Sequence, residues 1–364
     1  MNARTHRTML FAFVFLGVCL GVLARADSVR PSQDVPASDA ASGQAAESDP
    51  DPLFRVVKNG KWGYMDKNGK VVIPPVYDGA SPFHEGLAIV QPWQVIGSGT
   101  EMITGRRPIR VYFIDKDGKQ VGLIYAGALP FSEGLAVVAD LGTRSFAFMD
   151  KSGKMVASGF QNAGSFSEGL AAVESGGQWG YIDKSGQIVI PAEFSDAHGF
   201  GGGLAAVRVD KKWGYINKGG KMVIPPQFEI AYEFTEGLAA VKVRGKWGFI
   251  DDTGQMVIPA QFSEAFGFSE GLAEVKEGNK WGKIDKSGKT VVAPQYDQAY
   301  KYSEDMAAVK MGGKWGYIDK TGKMVISPQY DDTWSFSNGL AEVRTGKQFG
   351  YIDKTGKYFW GPAQ

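Results

Sequence analysis

From residue 53 onward, short runs of Val, Ile, Leu, Ala and aromatic residues alternate with Gly-containing breaks, and no window carries the 3.6-residue period of an amphipathic helix. Residues 238–262, LAAVKVRGKWGFIDDTGQMVIPAQF, show the unit. A β-branched run breaks at Arg244-Gly245, a second run reaches Ile250, Asp251-Asp252-Thr253-Gly254 follows, and a third run leads to Pro259. Asp at the first and Gly at the last place of a tetrapeptide suit a type I turn, so this one closes a hairpin. Proline cannot donate to a ladder, so the third strand either stops at Pro259 or lies at an edge. The pattern predicts three short antiparallel strands per unit, joined by loops with aromatic positions such as Phe228, Tyr232 and Phe234, in an all-β protein.

The unit recurs. Trp179, Trp213, Trp247, Trp281 and Trp315 are spaced 34 residues apart, and Phe349 continues the series. Phe146 lies 33 residues before Trp179, Val111 holds the equivalent place in RVYFIDKDG, and Trp62 opens the set, which makes nine copies. Four residues on, an Asp keeps the register from Asp66 to Asp353, with Asn217 in the fifth copy. A second mark, EGLAAV and its variants, precedes most copies. A fixed period of this length means stacked units, each burying an apolar face against its neighbours. Propeller blades usually have four strands and commonly number four to eight, whereas this unit shows three runs. Tyr358, Phe359 and Trp360 read as a cap over an open end. The expected fold is an open, curved, β-solenoid-like superhelix over residues 53–364, with a closed propeller-like ring as the alternative.

The strings KWGYIDKTGK, MVIPPQ and EGLAAV resemble the WG-repeat family of bacterial β-repeat proteins, named for the Trp-Gly pair, and the resemblance covers residues 53–364. Copies two and three depart from it, with Tyr112 and Ala147 where the Gly belongs and without the VIPP proline. The resemblance implies a non-catalytic repeat scaffold and supplies no catalytic residue.

Composition narrows the chemistry. Gly accounts for 49 of 364 residues, nearly twice the ordinary share of about 7%, as a chain that turns often requires. Lys and Arg total 40 against 39 Asp and Glu, a balance that gives no charge reason to expect nucleic acid. One Cys and three His leave almost nothing for disulfides, metal ligation or thiol and imidazole catalysis, so no metal or cofactor is expected and the protein reads as no enzyme. Arg4 and Arg7 precede an apolar stretch from Met9 to Ala24, and Ala24-Arg25-Ala26 is the small-x-small pattern of a cleaved signal peptide. The stretch is too short to span a bilayer and no second one follows, so no membrane span is expected. Lipidation at Cys19 is the lesser alternative, because Val18 stands where lipoprotein signals place a small residue. Cleavage after Ala26 removes three Arg and no acid, moving the formal charge from +1 to −2. Residues 27–52, rich in Ser, Ala, Asp, Pro and Gln, cannot bury enough surface to fold and read as a disordered linker.

The Trp row (Trp62, Trp179, Trp213, Trp247, Trp281, Trp315, with Phe349) has two readings, aromatic platforms for glycan rings or a ladder that fills the core between units. A Trp demanded by nearly every unit favours the core, with the Gly letting a neighbouring backbone approach. Glu85, Glu133, Glu168, Glu236, Glu270 and Glu304 recur once per unit, as local turn or backbone caps rather than an acidic stripe. Asp115-Lys116-Asp117-Gly118 opens like a calcium loop but lacks the later oxygen ligands and reads as a turn. His84 and His198 read as surface residues. Between Asp66 and Asp115 the spacing grows to 49, an insertion carrying Trp93, Arg106, Arg107 and Arg110, residue types enriched at interface hot spots. The expected function is an exported scaffold, periplasmic or extracellular, that binds another macromolecule: a protein first, a carbohydrate or the cell wall second.

Overall fold

The computed structural model describes residues 49–92, 110–143 and 145–363, all within the compact unit Ser42–Gln364. The signal peptide, Cys19 and the linker up to residue 48 lie outside the described residues. Every regular element among the described residues is a strand. The strands form nine consecutive antiparallel sheets, eight of four strands and the first of three, here called blades 1 to 9 in chain order. In blade 6 the order across the sheet is Ile230–Ala231, Ala239–Val243, Lys246–Ile250, Met256–Phe262.

The unit therefore has four strands, not three. The extra one is a stub of two residues in most blades, pairing Ile230 with Lys242 and Ala231 with Val241 in blade 6, and two residues are too few to leave a hydrophobic run in the sequence. Both faces of each blade are buried. Trp213, Tyr215, Ile224 and Phe228 of blade 5 pack against Ala231, Ala239, Val241 and Ile250 of blade 6, and the arrangement repeats one blade on with Trp247, Phe249, Ile258 and Phe262.

The open superhelix is also overturned: the blades close into a nine-bladed propeller. Trp62 of blade 1 meets Phe349 of blade 9 edge-on at 5.4 Å, and Phe54 meets Tyr351 at 5.5 Å. Among the described residues no strand is exchanged between the chain ends, because Tyr358–Ala363 pairs with Gln348–Asp353 of its own blade. Tyr358 and Trp360 thus belong to an ordinary fourth strand and cap nothing. Blade 1 has three strands among the described residues, and its Arg55 ties the neighbouring blades together, donating to Ala80 O of blade 2 at 3.1 Å and to Glu342 Oε2 of blade 9 at 2.8 Å. Burial opposes that charge, but Glu342 outweighs it and holds the guanidinium above its ordinary pKa.

The Gly of the Trp-Gly pair has a specific duty within its own sheet. Trp213 pairs with Phe228 and Tyr215 with Ile224, so residues 225–227 bulge opposite Gly214. A Cβ there would lie 2.5 Å from Ile224 O and 2.7 Å from Pro226 N. The close approach comes from the blade's own last strand rather than from a neighbouring unit. That strand continues through its proline, as an edge strand allows, and exposes Val71, Val72, Val189 and Val257. At the other edge, consecutive blades touch backbone to side chain: Ser167 Oγ donates to Phe200 O at 2.6 Å and Ser303 Oγ to Phe336 O at 2.7 Å. Blades converge at the stub edge, which is therefore the inner edge of the ring.

Candidate binding face

Each blade runs between two faces of the ring. At one face lie the Asp turns, closed as expected: Gly254 N–H donates to Asp251 O at 3.0 Å, and the Asp251 carboxylate accepts from Thr253 N and Gln255 N. The Thr253 hydroxyl also donates to it, at 2.6 Å, and these bonds hold the Asp251 carboxyl below its usual pKa. Asp115 is committed in the same way, accepting from Asp117 N and Lys119 N, so its loop is a turn.

The Glu column also acts at this face, but between blades rather than locally. Glu236 Oε2 accepts from Gly271 N at 3.0 Å and pairs with Lys286 at 3.1 Å, both one blade on. Glu133 does the same with Gly169 and Lys184, and Glu168 with Gly203 and Lys218. The rung is absent from blade 5 to blade 6, where Gly202 replaces the Glu and Asp252 replaces the Lys. There the loop presses closer instead, so that a Cβ on Gly201 would sit 2.4 Å from Phe234 O. The sequence offered the Glu, the Lys and their joint loss, but nothing local told that their partners lie about one repeat away.

The opposite face carries the two-residue hairpins, such as Arg244-Gly245 with both residues at positive φ. The residue two places before that hairpin is cationic in blades 5 to 9: Arg208, Lys242, Lys276, Lys310 and Arg344. The matching places in blades 1 to 4 hold Val57, Gln91, Ala139 and Glu174. Each cation stands across from its repeat aromatic, and Arg208, Lys276 and Lys310 lie over Trp213, Trp281 and Trp315 at 5.8, 5.4 and 5.5 Å from the ring centres.

A second column has the same distribution. Just past the stub, on the inner edge, stand His198, Tyr232, Phe266, Tyr300 and Trp334 in blades 5 to 9, against Ser81, Leu129 and Gly164 in blades 2 to 4. The previous blade pins all of these but Phe266 through their backbone: Tyr181 Oη donates to His198 O, Tyr215 Oη to Tyr232 O and Tyr317 Oη to Trp334 O, each at 2.8 Å. In blade 7 a Lys replaces the Tyr. Lys283 donates to Tyr300 O at 2.7 Å while paired with Glu274 at 2.5 Å, and burial lowers its pKa against the pull of that carboxylate. Trp247, Tyr232, Phe266 and Trp281 stack in sequence, with centres 4.8, 6.4 and 5.3 Å apart and tilts of 24°, 10° and 13°. His198, expected at the surface, is half-buried. Its ring rests on Trp213 at 4.6 Å, and burial lowers its pKa. Beside this arc Glu233 accepts from Gly199 N at 3.1 Å, and burial raises its carboxyl pKa.

Of the repeat row, Trp62, Trp213, Trp247, Trp281 and Trp315 are buried, while Trp179 and Phe349 are half-buried. The row fills the space between blades. In the insertion, Trp93, Arg106 and Arg107 lie outside the described residues. Arg110 is half-buried just before Val111–Ile114. The insertion joins Ala88–Gln91 to Val111–Ile114 where other blades have a short hairpin, so its two ends lie on the face with the cations. The cation and aromatic columns themselves were not singled out from the sequence, although aligning the units on their Trp displays both.

No helix among the described residues is long and apolar enough to cross a membrane. No curated protein matches the chain. Among solved structures, the dihydro-heme d1 dehydrogenase NirN in complex with DHE is similar at 13% identity, over 86% of this chain and 73% of that one, with a TM-score of 0.45. Hsv2 of Kluyveromyces lactis is similar at 9% identity over 71% and 89%, with a TM-score of 0.40, and a streptogramin B lyase at 14% over 62% and 89%, with a TM-score of 0.35. The family described as "WG containing repeat" matches seven times, at residues 62–91, 146–179, 179–213, 213–247, 247–281, 281–315 and 315–348, leaving the second copy, with its insertion, and the ninth unmatched. With most of the fold matched unit by unit and the Trp-Gly pair in its structural place, the chain belongs to the WG-repeat family.

Proposed function

We propose that the protein is an exported, non-catalytic scaffold whose ring binds another protein. The observation that carries this reading is the split between the two kinds of aromatic residue. The repeat tryptophans are largely consumed between blades, whereas the inner-edge aromatics and their cations gather on one face of five consecutive blades. Half-buried aromatics beside cations are the residue types that anchor protein interfaces. The strand ends that flank the insertion of blade 2, Gln91 and Val111, lie on that same face.

Two observations support the absence of catalysis. The turn carboxylates, such as Asp251 and Asp319, are committed to backbone and hydroxyl donors, and the Glu column is committed to inter-blade rungs. Neither set leaves a nucleophile and a base in mutual reach. A carbohydrate ligand is the weaker reading, because sugar platforms need open ring faces and the faces of Tyr232 and Phe266 are covered by their neighbours.

Export follows from the N-terminal sequence alone. Mass spectrometry of the protein from its native cell should give a chain that begins at Asp27, and a chain that retains Met1 or begins at a lipidated Cys19 would reject the cleavage site. For binding, the chain from Asp27 onward is used as bait against envelope extract, beside isolated cell wall. The expected result is a protein partner whose complex can be rebuilt from the two purified components, with no retention on cell wall. Retention on cell wall without a protein partner would replace this reading with the carbohydrate one.

A further inference from the structure

Blades 5 to 9 and blades 2 to 4 build the same four-stranded sheet, so the packing of the sheet does not explain why only the former carry the cation and aromatic columns. Trp179 of blade 4 stands across from Glu174, which shows that a repeat Trp does not require a cation beside it. The stub supplies some neutralisation: Arg208 faces Asp196 at 3.7 Å, Lys276 faces Glu264 at 2.7 Å and Arg344 faces Asp332 at 3.2 Å. In blades 6 and 8 the stub offers Ile230 and Gln298 instead. Lys242 and Lys310 are half-buried and have no carboxylate partner among the described residues. The arc thus holds five cations against three stub carboxylates, with its two unmatched charges two blades apart and Phe266 of blade 7 between them.

We infer that this arc binds an extended acidic polypeptide segment, whose carboxylates meet Lys242 and Lys310 and whose apolar side chains lie against the edges of Tyr232 and Phe266. The inference rests on the protein-binding reading above and names the chemistry of the partner. Three features favour a polypeptide over an acidic sugar polymer. The charge excess calls for carboxylates at separated points, an extended chain can alternate them with apolar side chains, and the covered faces of Tyr232 and Phe266 leave ring edges rather than platforms. Glu233 is the unfavourable neighbour. It accepts the Gly199 N–H, and burial favours its protonated form, so it opposes an incoming carboxylate less than an exposed Glu would.

The test measures fluorescence polarisation of a labelled peptide alternating Glu with Phe and Gly, titrated with the chain from Asp27 onward at physiological salt. The controls are the same peptide with Gln for Glu, and polygalacturonate as an acidic sugar polymer. The Glu peptide should bind, the Gln peptide should not, and Lys242→Gln with Lys310→Gln should weaken binding about tenfold or more. Lys221→Glu with Lys289→Glu, exposed on the opposite face, should change little. Lysine acetylation footprinting of the unmodified chain serves if the Gln variant fails to fold: the Glu peptide should protect Lys242 and Lys310 over Lys221 and Lys289. Equal binding by the arc variant, no binding of the Glu peptide, or arc-dependent binding of polygalacturonate alone would each overturn the inference. If the envelope partner is captured equally by wild type and arc variant, the scaffold reading stands and this assignment falls.

Discussion

The interface between blades 6 and 7 and the one between blades 9 and 1 are built from the same repeat, yet different forces hold them. At the first, Trp247 is buried among Phe249, Phe262, Phe268 and Val275, and a Glu236 rung ties the loops together. At the second, Phe349 replaces the Trp and is only half-buried, and Asn338 replaces the rung Glu. Arg55, Glu342 and Tyr351 form a buried polar cluster in compensation, with Tyr351 Oη donating to Glu342 Oε2 at 3.0 Å. At this seam charge takes over part of what packing does elsewhere.

The largest effect should come from breaking the regular interface. Trp247→Ala removes a side chain that is 5% exposed and should cost about 3 to 5 kcal/mol, whereas Phe349→Ala, at a half-buried site, should cost well under that. Denaturant melts of the two variants check the contrast. Equal losses would mean that the closing interface is packed as tightly as the others.

Charge at the seam gives the second comparison. Arg55→Met leaves Glu342 buried without its cation, and a loss of about 3 to 5 kcal/mol is expected. Combining it with Glu342→Leu should recover most of that loss, because a buried ion pair gains little net stability over apolar side chains of similar size. A double variant as unstable as the single one would show that Arg55 acts mainly through its bond to Ala80 O.

Much of this was legible in the sequence, and the rest was hidden for identifiable reasons. The nine units, the Asp turns and the burial of Trp213 or Trp315 follow from period and turn chemistry within a few residues of one another. The stub escaped because two residues carry no pattern. Closure escaped because its key pair, Arg55 and Glu342, is 287 residues apart and resembles any other Arg and Glu until the ends meet. The binding face escaped for a subtler reason: Lys242 and Tyr232 are ordinary in their own unit and become informative only when compared with Gln91 and Ser81 at the same places in blade 2.

The smallest effect concerns the missing rung. Asn338 has a φ of 53°, within the 50° to 55° shared by the rung glutamates, so Asn338→Glu fits the existing backbone without new strain. Lys67 of blade 1 occupies the place that Lys286 holds in blade 7, and an ion pair can form. The second half of the rung cannot. The place of Gly271, whose N–H Glu236 accepts, is taken in blade 1 by Pro52, which has no N–H to offer. Asn338→Glu should therefore add only a partly exposed ion pair, about 0.2 to 0.5 kcal/mol, fading as salt rises. Glu236→Gln should cost a similar amount at the regular interface, since the amide oxygen can still accept from Gly271 N while the pairing with Lys286 is lost. A melting shift of several degrees for Asn338→Glu would mean that the loops at the closing seam are looser than their backbone geometry implies, and that a single charge is enough to tighten them.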